Sequence, residues 1–138
     1  MARFRAEDRL QQAICQHLNW RGAKGLVYFS VPNGCYRTPL EAQILKATGT
    51  RAGVADLILM HAGTCYALEL KTTKGRTRPS QIKFMADWVA AGGVGAVCRG
   101  IDEALAFLEH HGLLRKNVAR DRLSVMELPA DDFVGAGV

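Results

Sequence analysis

The middle of the chain predicts a β-hairpin, because two short apolar runs flank a turn there: LILM at 57–60 and CYALEL at 65–70. Both runs are rich in residues that favour strands, and the glycine of the intervening HAGT segment marks a turn. A loop of two residues, Ala62-Gly63, or of four residues centred there, would fix which residues of the two strands face each other. The hairpin therefore constrains the geometry of the chain more than any other segment does.

Such a turn would bring three charged residues together. Either loop length places Asp56 opposite Glu69, and opposed residues share a sheet face with their β-carbons roughly 5 Å apart. Lys71 follows Glu69 by two residues and lies on the same face, whereas Leu68 and Leu70 point to the other face. Two carboxylates and an ammonium group would then converge. A three-residue loop would instead send Asp56 to the opposite face of the sheet.

Basic residues are concentrated directly after the hairpin. The chain has a formal net charge of +5 and a pI near 9.3, which points toward a polyanionic partner without identifying it. The stretch 71–86 contains no acidic residue and has five basic ones, as many as the net charge of the whole chain: Lys71, Lys74, Arg76, Arg78 and Lys83. We expect this stretch to form a local patch that holds phosphates.

Length and composition predict one globular domain. With 138 residues, 49% of them apolar and 22% charged, the chain suits a single domain over 1–138, with a core at about 6–112 and a C-terminal extension at 113–138. The four cysteines form no CxxC pair, which argues against a structural zinc site and a redox motif and fits a reducing cytosol. Because there is no apolar run of ~18–20 residues and no signal peptide, we expect a soluble, cytoplasmic protein with no membrane partner.

The N-terminal segment predicts an amphipathic helix over 6–19 with an acidic residue on its apolar face. Leu10 and Ile14 are among the apolar residues at helical spacing, and Glu7 precedes Ile14 by seven residues, which is about two turns. Glu7 is therefore directed inward. Either it is a first-turn glutamate that the helix dipole favours, or it is a third acidic group at the hairpin site.

The remaining segments complete an alternation of helices and strands. A capping box at Thr38 and Glu41 starts a short helix, and Ser80 is expected to cap the helix after the basic stretch. The inward positions of that second helix are expected at Ile82, at Met85 or Ala86, and at Val89. The predicted elements are a strand at 26–31, a short helix from 39 to about 48, a helix at 81–91, a strand at 94–98 and a helix at 102–111. This order predicts an α/β fold in which helices cover a mixed central sheet.

The charged residues of the hairpin have the chemistry of a metal-dependent nuclease site. Hydrolysis of a phosphodiester needs a metal ion to polarise the phosphate and activate water, and a cation to offset charge in the transition state. Mg²⁺ and Mn²⁺ prefer oxygen ligands, which Asp56, Glu69 and the backbone carbonyl of Leu70 would supply. Lys71 would orient or help deprotonate the attacking water.

The alternative is an ordinary ion pair between Glu69 and Lys71 on a solvated sheet surface. The opposed Asp56 and the basic stretch favour the metal site.

An ordered series of short motifs resembles the VRR-NUC family of PD-(D/E)XK nucleases. The series runs from roughly Glu7 to Gly112 and comprises helical Glu7, VPNG at 31–34 with Arg37, LKATG at 45–49, GVADL at 53–57, LELK at 68–71, Ser80 with Gln81, and a glycine pair before an apolar strand. Ala55 stands where the family has proline, one residue before the aspartate. The order of the motifs, rather than any single one, carries the resemblance.

The resemblance implies a restriction-endonuclease-like fold and Mg²⁺- or Mn²⁺-dependent phosphodiester cleavage, often in branched DNA. It also implies an active site made of Asp56, Glu69 and Lys71, with Glu7 and Gln81 in supporting roles and Glu7 as an optional metal ligand. Small members of the family are similar to Holliday junction resolvases that work as homodimers, because two symmetric cuts need two sites. From their charge and position, five residues are candidate contacts to the DNA backbone: Asn33, Arg37, Lys74, Arg76 and Arg78.

Two other functions fit the same sequence. One is a nucleic-acid-binding module that keeps the fold and the basic stretch without catalysis. The other is a restriction-type nuclease that cuts linear duplex at a defined sequence. Salt-dependent DNA binding without cleavage would be the mark of the first, and discrete fragments from plasmid DNA would be the mark of the second.

Overall fold

The computed structural model describes residues 5–32 and 37–116, along which helices alternate with strands. In chain order the elements are α1 (Ala6–Arg21), β1 (Val27–Ser30), α2 (Pro39–Ala47), β2 (Leu57–His61), β3 (Thr64–Lys71), α3 (Pro79–Ala90), β4 (Val94–Arg99) and α4 (Gly100–His110). Among the described residues, no helix combines the length and apolar character that crossing a membrane requires. The predictions for Asn33 and for residues 117–138 lie outside the described part of the chain.

The four strands of this region form one mixed sheet in the order β1-β2-β3-β4. β2 is antiparallel to both of its neighbours, and β4 lies parallel to β3 because α3 carries the chain back across the sheet. Ala62 and Gly63 form the loop between β2 and β3, with φ values of 49° and 81°. Positive φ at both positions is what a two-residue hairpin turn needs. The register pairs Leu57 with Leu68, which confirms the predicted hairpin.

One face of the sheet packs against α1 and α4 and forms the main core. The large side chains that are fully buried there are Ile14, Leu57, Leu59, Leu68, Leu70, Leu108 and Leu113. Burial of one such side chain stabilises the fold by roughly 1.5–3 kcal/mol. Leu68 and Leu70 therefore anchor β3 from this side. Because side chains alternate along a strand, Glu69 and Lys71 face the other side of the sheet.

α3 covers that other side, and its buried face differs from the predicted one. Phe84 is 7% exposed, and half-buried Met85 and Trp88 pack beside it. Ile82 and Val89 are 59% and 53% exposed, so the prediction that they face inward was wrong. The buried face is thus displaced around the helix from the predicted one.

The start of α3 and the small residues of β4 explain the difference. Arg78 is the N-cap and Pro79 the first helical residue, so Ser80 lies inside the first turn instead of capping the helix. Gly95 of β4 leaves room for Met85, since a β-carbon at Gly95 would lie only 2.3 Å from the Met85 sulfur. The long side chains of α3 therefore pack onto β4. The helical spacing of apolar residues within α3 does not predict this contact.

α2 is stabilised by its own ends rather than by the core. Thr38 and Glu41 form the predicted capping box, in which each backbone N–H donates to the other side chain at 3.2 Å. None of the nine residues of α2, all of them described, is buried. Leu40 and Ile44 are 65% and 53% exposed. The helix therefore adds little to the hydrophobic core.

Candidate active site

Asp56 and Glu69 lie side by side at the end of the β2-β3 hairpin that is remote from its turn. Asp56 directly precedes β2, and the register that pairs Leu57 with Leu68 continues to place Asp56 opposite Glu69. A hydrogen bond of 2.8 Å from the Leu70 N–H to Asp56 Oδ2 holds the aspartate against β3. The structure thus brings the two predicted carboxylates together.

The backbone of Leu70 points toward the same side of β3. In a strand, the N–H and the C=O of one residue point toward the same edge, which is why an opposed pair exchanges both bonds. Since the Leu70 N–H reaches Asp56, the Leu70 carbonyl is directed to that edge as well. The oxygen predicted as a third metal ligand therefore faces the side on which Asp56 lies.

Gln81 connects the first turn of α3 to the carboxylates. Its Nε2 donates to Glu69 Oε1 at 2.7 Å, and its Oε1 accepts from the Arg78 N–H at 2.9 Å. Lys71 Nζ lies 3.7 Å from the same Glu69 oxygen. The structure therefore gathers Gln81 and Lys71 with the two acids, and both approach one oxygen of Glu69.

Glu69 is a buried carboxylate with one unsatisfied oxygen. The residue is 3% exposed, and Oε2 has no hydrogen-bond partner among the described residues, which costs free energy in a buried charged group. Burial, and then the negative charge of Asp56, raises the pKa of Glu69 to about 7. Burial is also the main reason that the pKa of Asp56 is raised.

The donor set fits a divalent cation. A cation would supply the partner that Glu69 Oε2 lacks, and it would offset two neighbouring negative charges that face the single ammonium of Lys71. Carboxylate and carbonyl oxygens are the ligands that Mg²⁺ and Mn²⁺ prefer. Burial away from water would strengthen the attraction between such an ion and the carboxylates.

Glu7 lies near enough to the two acids to influence them electrostatically. Its charge contributes to raising the pKa of both Asp56 and Glu69, so it is close enough to act on them electrostatically. Among the described residues, however, no group of three His, Cys, Asp or Glu side chains is close enough to hold a metal ion. Glu7 is thus placed to influence the two acids electrostatically.

The loop before Asp56 is held tightly against α3. Gly53 has a φ of +79°, and a β-carbon there would lie 2.3 Å from the Ser80 backbone, so the close approach requires glycine. Ala55, which stands where the resembling family has proline, is 1% exposed. The Asp56 carbonyl accepts a 3.0 Å hydrogen bond from the Val31 N–H. These contacts hold Asp56 in place in the absence of the proline.

The arrangement of helices and strands is shared with a solved protein. A structure described as a VRR_NUC domain protein matches with a TM-score of 0.56 and 23% sequence identity, over 79% of this chain and 89% of that chain. The chain has the fold of a VRR_NUC domain protein. The predicted α/β class with a mixed sheet is thereby confirmed. No protein-family model matches the sequence, and no curated protein matches it either.

In this VRR_NUC fold, the candidate DNA contacts occupy two places. Arg37 and Arg78 line a groove of about 640 Å³, to which Asp56 also contributes. Lys74 and Arg76 are exposed on the segment after β3 and do not line that groove. The structure therefore places Arg37 and Arg78 in the groove that Asp56 also lines, and it leaves Lys74 and Arg76 exposed outside that groove.

Arg99 is a basic residue at the edge of the site that the sequence analysis missed. It lies beside Lys71 in the parallel register of β3 and β4. Its Nη1 donates to the Gly75 carbonyl, and its backbone N–H donates to the Glu103 carboxylate at 2.6 Å. Arg99 thus fastens the basic loop, which we define as residues 72–78, to the end of the sheet. No local motif could have revealed this role, because it depends on the pairing of β4 with β3.

Proposed function

We propose that this protein is a divalent-metal-dependent DNA endonuclease that hydrolyses phosphodiester bonds in branched DNA. The main support is the buried Glu69 carboxylate, which lies beside Asp56 and has one oxygen with no hydrogen-bond partner in the described part of the chain. Buried acids whose pKa values are raised by burial and by each other are typical of functional sites. The fold shared with a VRR_NUC domain protein supports the same function.

Asp56, Glu69 and the Leu70 carbonyl would hold Mg²⁺ or Mn²⁺. Such an ion, when bound, would polarise the scissile phosphate and lower the pKa of the attacking water. A hydrogen bond from the Leu70 N–H orients Asp56, and one from Gln81 orients Glu69. Both carboxylates are therefore held in a fixed orientation before a metal ion binds. Hydrogen bonds of this kind to ligating groups support metal affinity.

Lys71 would act on the phosphate and the attacking water. Its side chain is 7% exposed and its Nζ lies 3.7 Å from Glu69 Oε1, so solvent screens its charge only weakly. We assign it two roles, which are to orient the water by hydrogen bonding and to stabilise the negative charge that grows on the phosphate in the transition state. Glu7 would support the site electrostatically from α1.

The basic loop would hold the DNA backbone. Lys74, Arg76 and Arg78 are exposed there, and Arg99 fastens the loop to β4. Contacts to phosphates fix the position of a protein on DNA without reading bases, which suits an enzyme that selects DNA by its shape. A Holliday junction has such a distinct shape. Because two symmetric cuts in a junction need two active sites, we propose that the enzyme works as a homodimer.

A cleavage assay with a matched pair of lysine variants tests this function. Labelled four-way junction, flap and linear duplex would be incubated with wild type, Lys71→Ala and Lys24→Ala, in Mg²⁺, in Mn²⁺ and in chelator. Lys24 is exposed at the hairpin-turn end of the sheet, where its carbonyl contacts His61. We expect metal-dependent cleavage that Lys71→Ala lowers by about 10²-fold or more and Lys24→Ala leaves unchanged. Undiminished cleavage by Lys71→Ala would contradict the assignment.

The exposed basic loop also favours a second candidate, a DNA-binding module without catalysis. Lys74, Arg76 and Arg78 would bind phosphates whether or not the carboxylates hold a metal. This candidate predicts salt-dependent binding that is insensitive to Asp56→Asn, and no cut product with either metal. Discrete fragments from plasmid DNA would point instead to a nuclease that reads a sequence in linear duplex.

A further inference from the structure

The stretch of chain that carries Asp56 runs along one face of α3. We call residues 51–56 the Asp56 segment, and this segment leads directly into β2. Its contacts on α3 are with Ser80, Phe84 and Asp87. Spacings of four and then three residues place these three on one face of the helix. The segment is therefore attached to α3 over about two turns.

Arg51 forms the attachment at the end of the segment that is farthest from Asp56. Its Nη2 lies 2.6 Å from Asp87 Oδ2, and its guanidinium lies 5.4 Å from the centre of the Phe84 ring. Both partners belong to α3. A single side chain of the segment is thus in contact with two successive turns of the helix.

Asp87 is shared by two cations that come from different parts of the chain. Lys83 Nζ lies 3.1 Å from Asp87 Oδ2, but Lys83 is on α3 itself, one turn before Asp87. The hydrogen bond from Arg51, and then the one from Lys83, holds the pKa of Asp87 below its ordinary value, so Asp87 is ionised at neutral pH. Of the two cations, Arg51 is the one that joins α3 to another segment.

The ion pair of Arg51 and Asp87 is too exposed to add much to the stability of the fold. Both side chains are 44% exposed, and solvent screens a pair of this kind. The Phe84 ring, which is itself fixed in the core, gives the guanidinium a second contact. The two contacts can therefore restrict the position of the Asp56 segment while leaving the free energy of unfolding almost unchanged.

α3 supports both of the proposed carboxylate ligands. Gln81 of this helix donates to Glu69 Oε1 at 2.7 Å, and Arg51 attaches to the same helix the segment that ends at Asp56. A shift of the segment along α3 would therefore move Asp56 relative to Glu69. Such a shift would weaken metal binding, since a divalent cation needs its oxygen ligands at set distances and groups behind the ligands keep them there.

We propose that Arg51 is a positioning residue, whose contacts with Asp87 and Phe84 hold the Asp56 segment on α3 and thereby set the position of Asp56 relative to Glu69. This inference rests on the proposed function for the role of the metal ion. Arg51 lines the groove together with Asp56, but its guanidinium is already engaged by α3. Its role is therefore support of the site rather than contact with a phosphate.

Amide hydrogen exchange of the metal-free protein reads the position of Asp56 directly. The Leu70 N–H donates to Asp56 Oδ2, so displacement of the aspartate opens this amide to exchange. We expect Arg51→Ala to speed the exchange of the Leu70 amide several-fold, while the Leu68 amide of the same strand keeps its wild-type rate. Equal acceleration at both amides would mean that Arg51 supports the fold in general and would overturn the proposal.

Lys83→Ala is the matched control for this measurement. It removes the other cation of Asp87 but no contact between α3 and the Asp56 segment. In the absence of DNA, the Leu70 amide of this variant should exchange at the wild-type rate. Acceleration as large as that in Arg51→Ala would show that the charge on α3, rather than the attachment of the segment, controls Asp56.

Calorimetric titration with Mn²⁺ alone gives a second readout. Arg51→Ala and Asp87→Ala should each weaken Mn²⁺ binding several-fold, and the double variant should lose less than the sum of the two, because both act through one contact. Arg51→Lys should bind Mn²⁺ more tightly than Arg51→Ala, since a lysine can still pair with Asp87. Unchanged Mn²⁺ affinity in Arg51→Ala would overturn the proposal, and a lower salt slope of DNA binding would then make Arg51 a phosphate contact.

Cleavage assays separate this inference from the proposed function. Metal-dependent cleavage by the wild type, with unchanged Leu70 exchange in Arg51→Ala, would remove the positioning role and keep the nuclease. Faster Leu70 exchange in Arg51→Ala, with no cleavage by the wild type in Mg²⁺ or Mn²⁺, would remove the nuclease and keep the positioning of Asp56 by Arg51.

Discussion

The two faces of β3 are buried to a similar extent but with opposite kinds of side chain. Leu68 and Leu70 are 0% and 1% exposed, in the apolar core beneath α1 and α4. Glu69 and Lys71 are 3% and 6% exposed on the other face, where one oxygen of Glu69 has no hydrogen-bond partner within residues 5–32 and 37–116. Burial of the first pair stabilises the fold, whereas burial of the second pair leaves charge that a ligand would have to satisfy. Residues that stabilise the fold and residues of the proposed active site therefore alternate along β3.

The largest expected effect comes from removing one side chain of the apolar face. Leu68→Ala should lower the free energy of unfolding by about 2–5 kcal/mol, because it leaves a cavity in a closely packed core. Glu69→Gln, at the next position, should leave the stability of the metal-free protein unchanged or raised at about pH 8, since it removes one of two neighbouring negative charges while Asp56 remains as a charge partner of Lys71. Urea unfolding of the two variants measures both values. Equal destabilisation by the two variants would show that the charged face also supports the fold.

The second prediction concerns pH and metal on the charged face. The pKa of Glu69 is about 7 in the folded protein against an ordinary value of 4.5, so the folded state binds this proton more tightly. The resulting stabilisation is fully present below pH 4.5 and is lost as the pH rises to about 7, by an amount on the order of 3 kcal/mol.

Above that pH, Mg²⁺ or Mn²⁺ should take the place of the proton. The metal-induced rise in Tm should therefore be larger at about pH 8 than at about pH 5.5 in the wild type, and small at both in Glu69→Gln. Thermal unfolding with and without metal measures this. A rise of equal size at both pH values would mean that Glu69 is not the group for which the proton and the metal compete.

A pair of glycine variants tests how the charged face is held in position. Gly53→Ala and Gly63→Ala both place an alanine at positive φ, which should lower the free energy of unfolding by about 1–2 kcal/mol for Gly63→Ala and by more than that for Gly53→Ala. At Gly53 the new β-carbon would also overlap the Ser80 backbone, whereas a β-carbon at Gly63 would have no atom of the described residues within 4 Å. We therefore expect Gly53→Ala alone to reduce cleavage, because it displaces the start of α3. Similar cleavage rates for both variants would argue against a positioning role for Gly53.

The smallest expected effect is at Gln81. Gln81→Ala removes the 2.7 Å hydrogen bond to Glu69 Oε1, and one such bond contributes about 0.5–1.5 kcal/mol. Cleavage should fall several-fold, and the free energy of unfolding should fall by about 1 kcal/mol, because the hydrogen bond from the Arg78 N–H to Gln81 Oε1 at the start of α3 is lost as well. Gln12→Ala, at an exposed position of α1, is the matched control and should retain full activity. If Gln81→Ala and Gln12→Ala cleave equally well, Gln81 does not orient Glu69.

Short-range features of the site were predictable from the sequence. The two-residue turn at Ala62-Gly63 sets the register of β2 and β3, and the alternation of side chains then places Asp56 opposite Glu69 with Lys71 on the same face. The capping box at Thr38 and Glu41 is equally local. In both cases, residues within a few positions of one another determine the geometry, although the structure was needed to settle the length of the hairpin loop, on which the side of Asp56 depends.

Longer-range features were decided only by the tertiary structure. The buried side of α3 depends on the small residues of β4, so Ile82 and Val89 are exposed although the helical period allowed them inside. Arg99 reaches the basic loop because β4 pairs with β3, and the unpartnered oxygen of Glu69 follows from the packing of several elements around it. The physical reason is that turns and strand periods act between neighbours in the chain, whereas burial and electrostatics depend on segments brought together by folding.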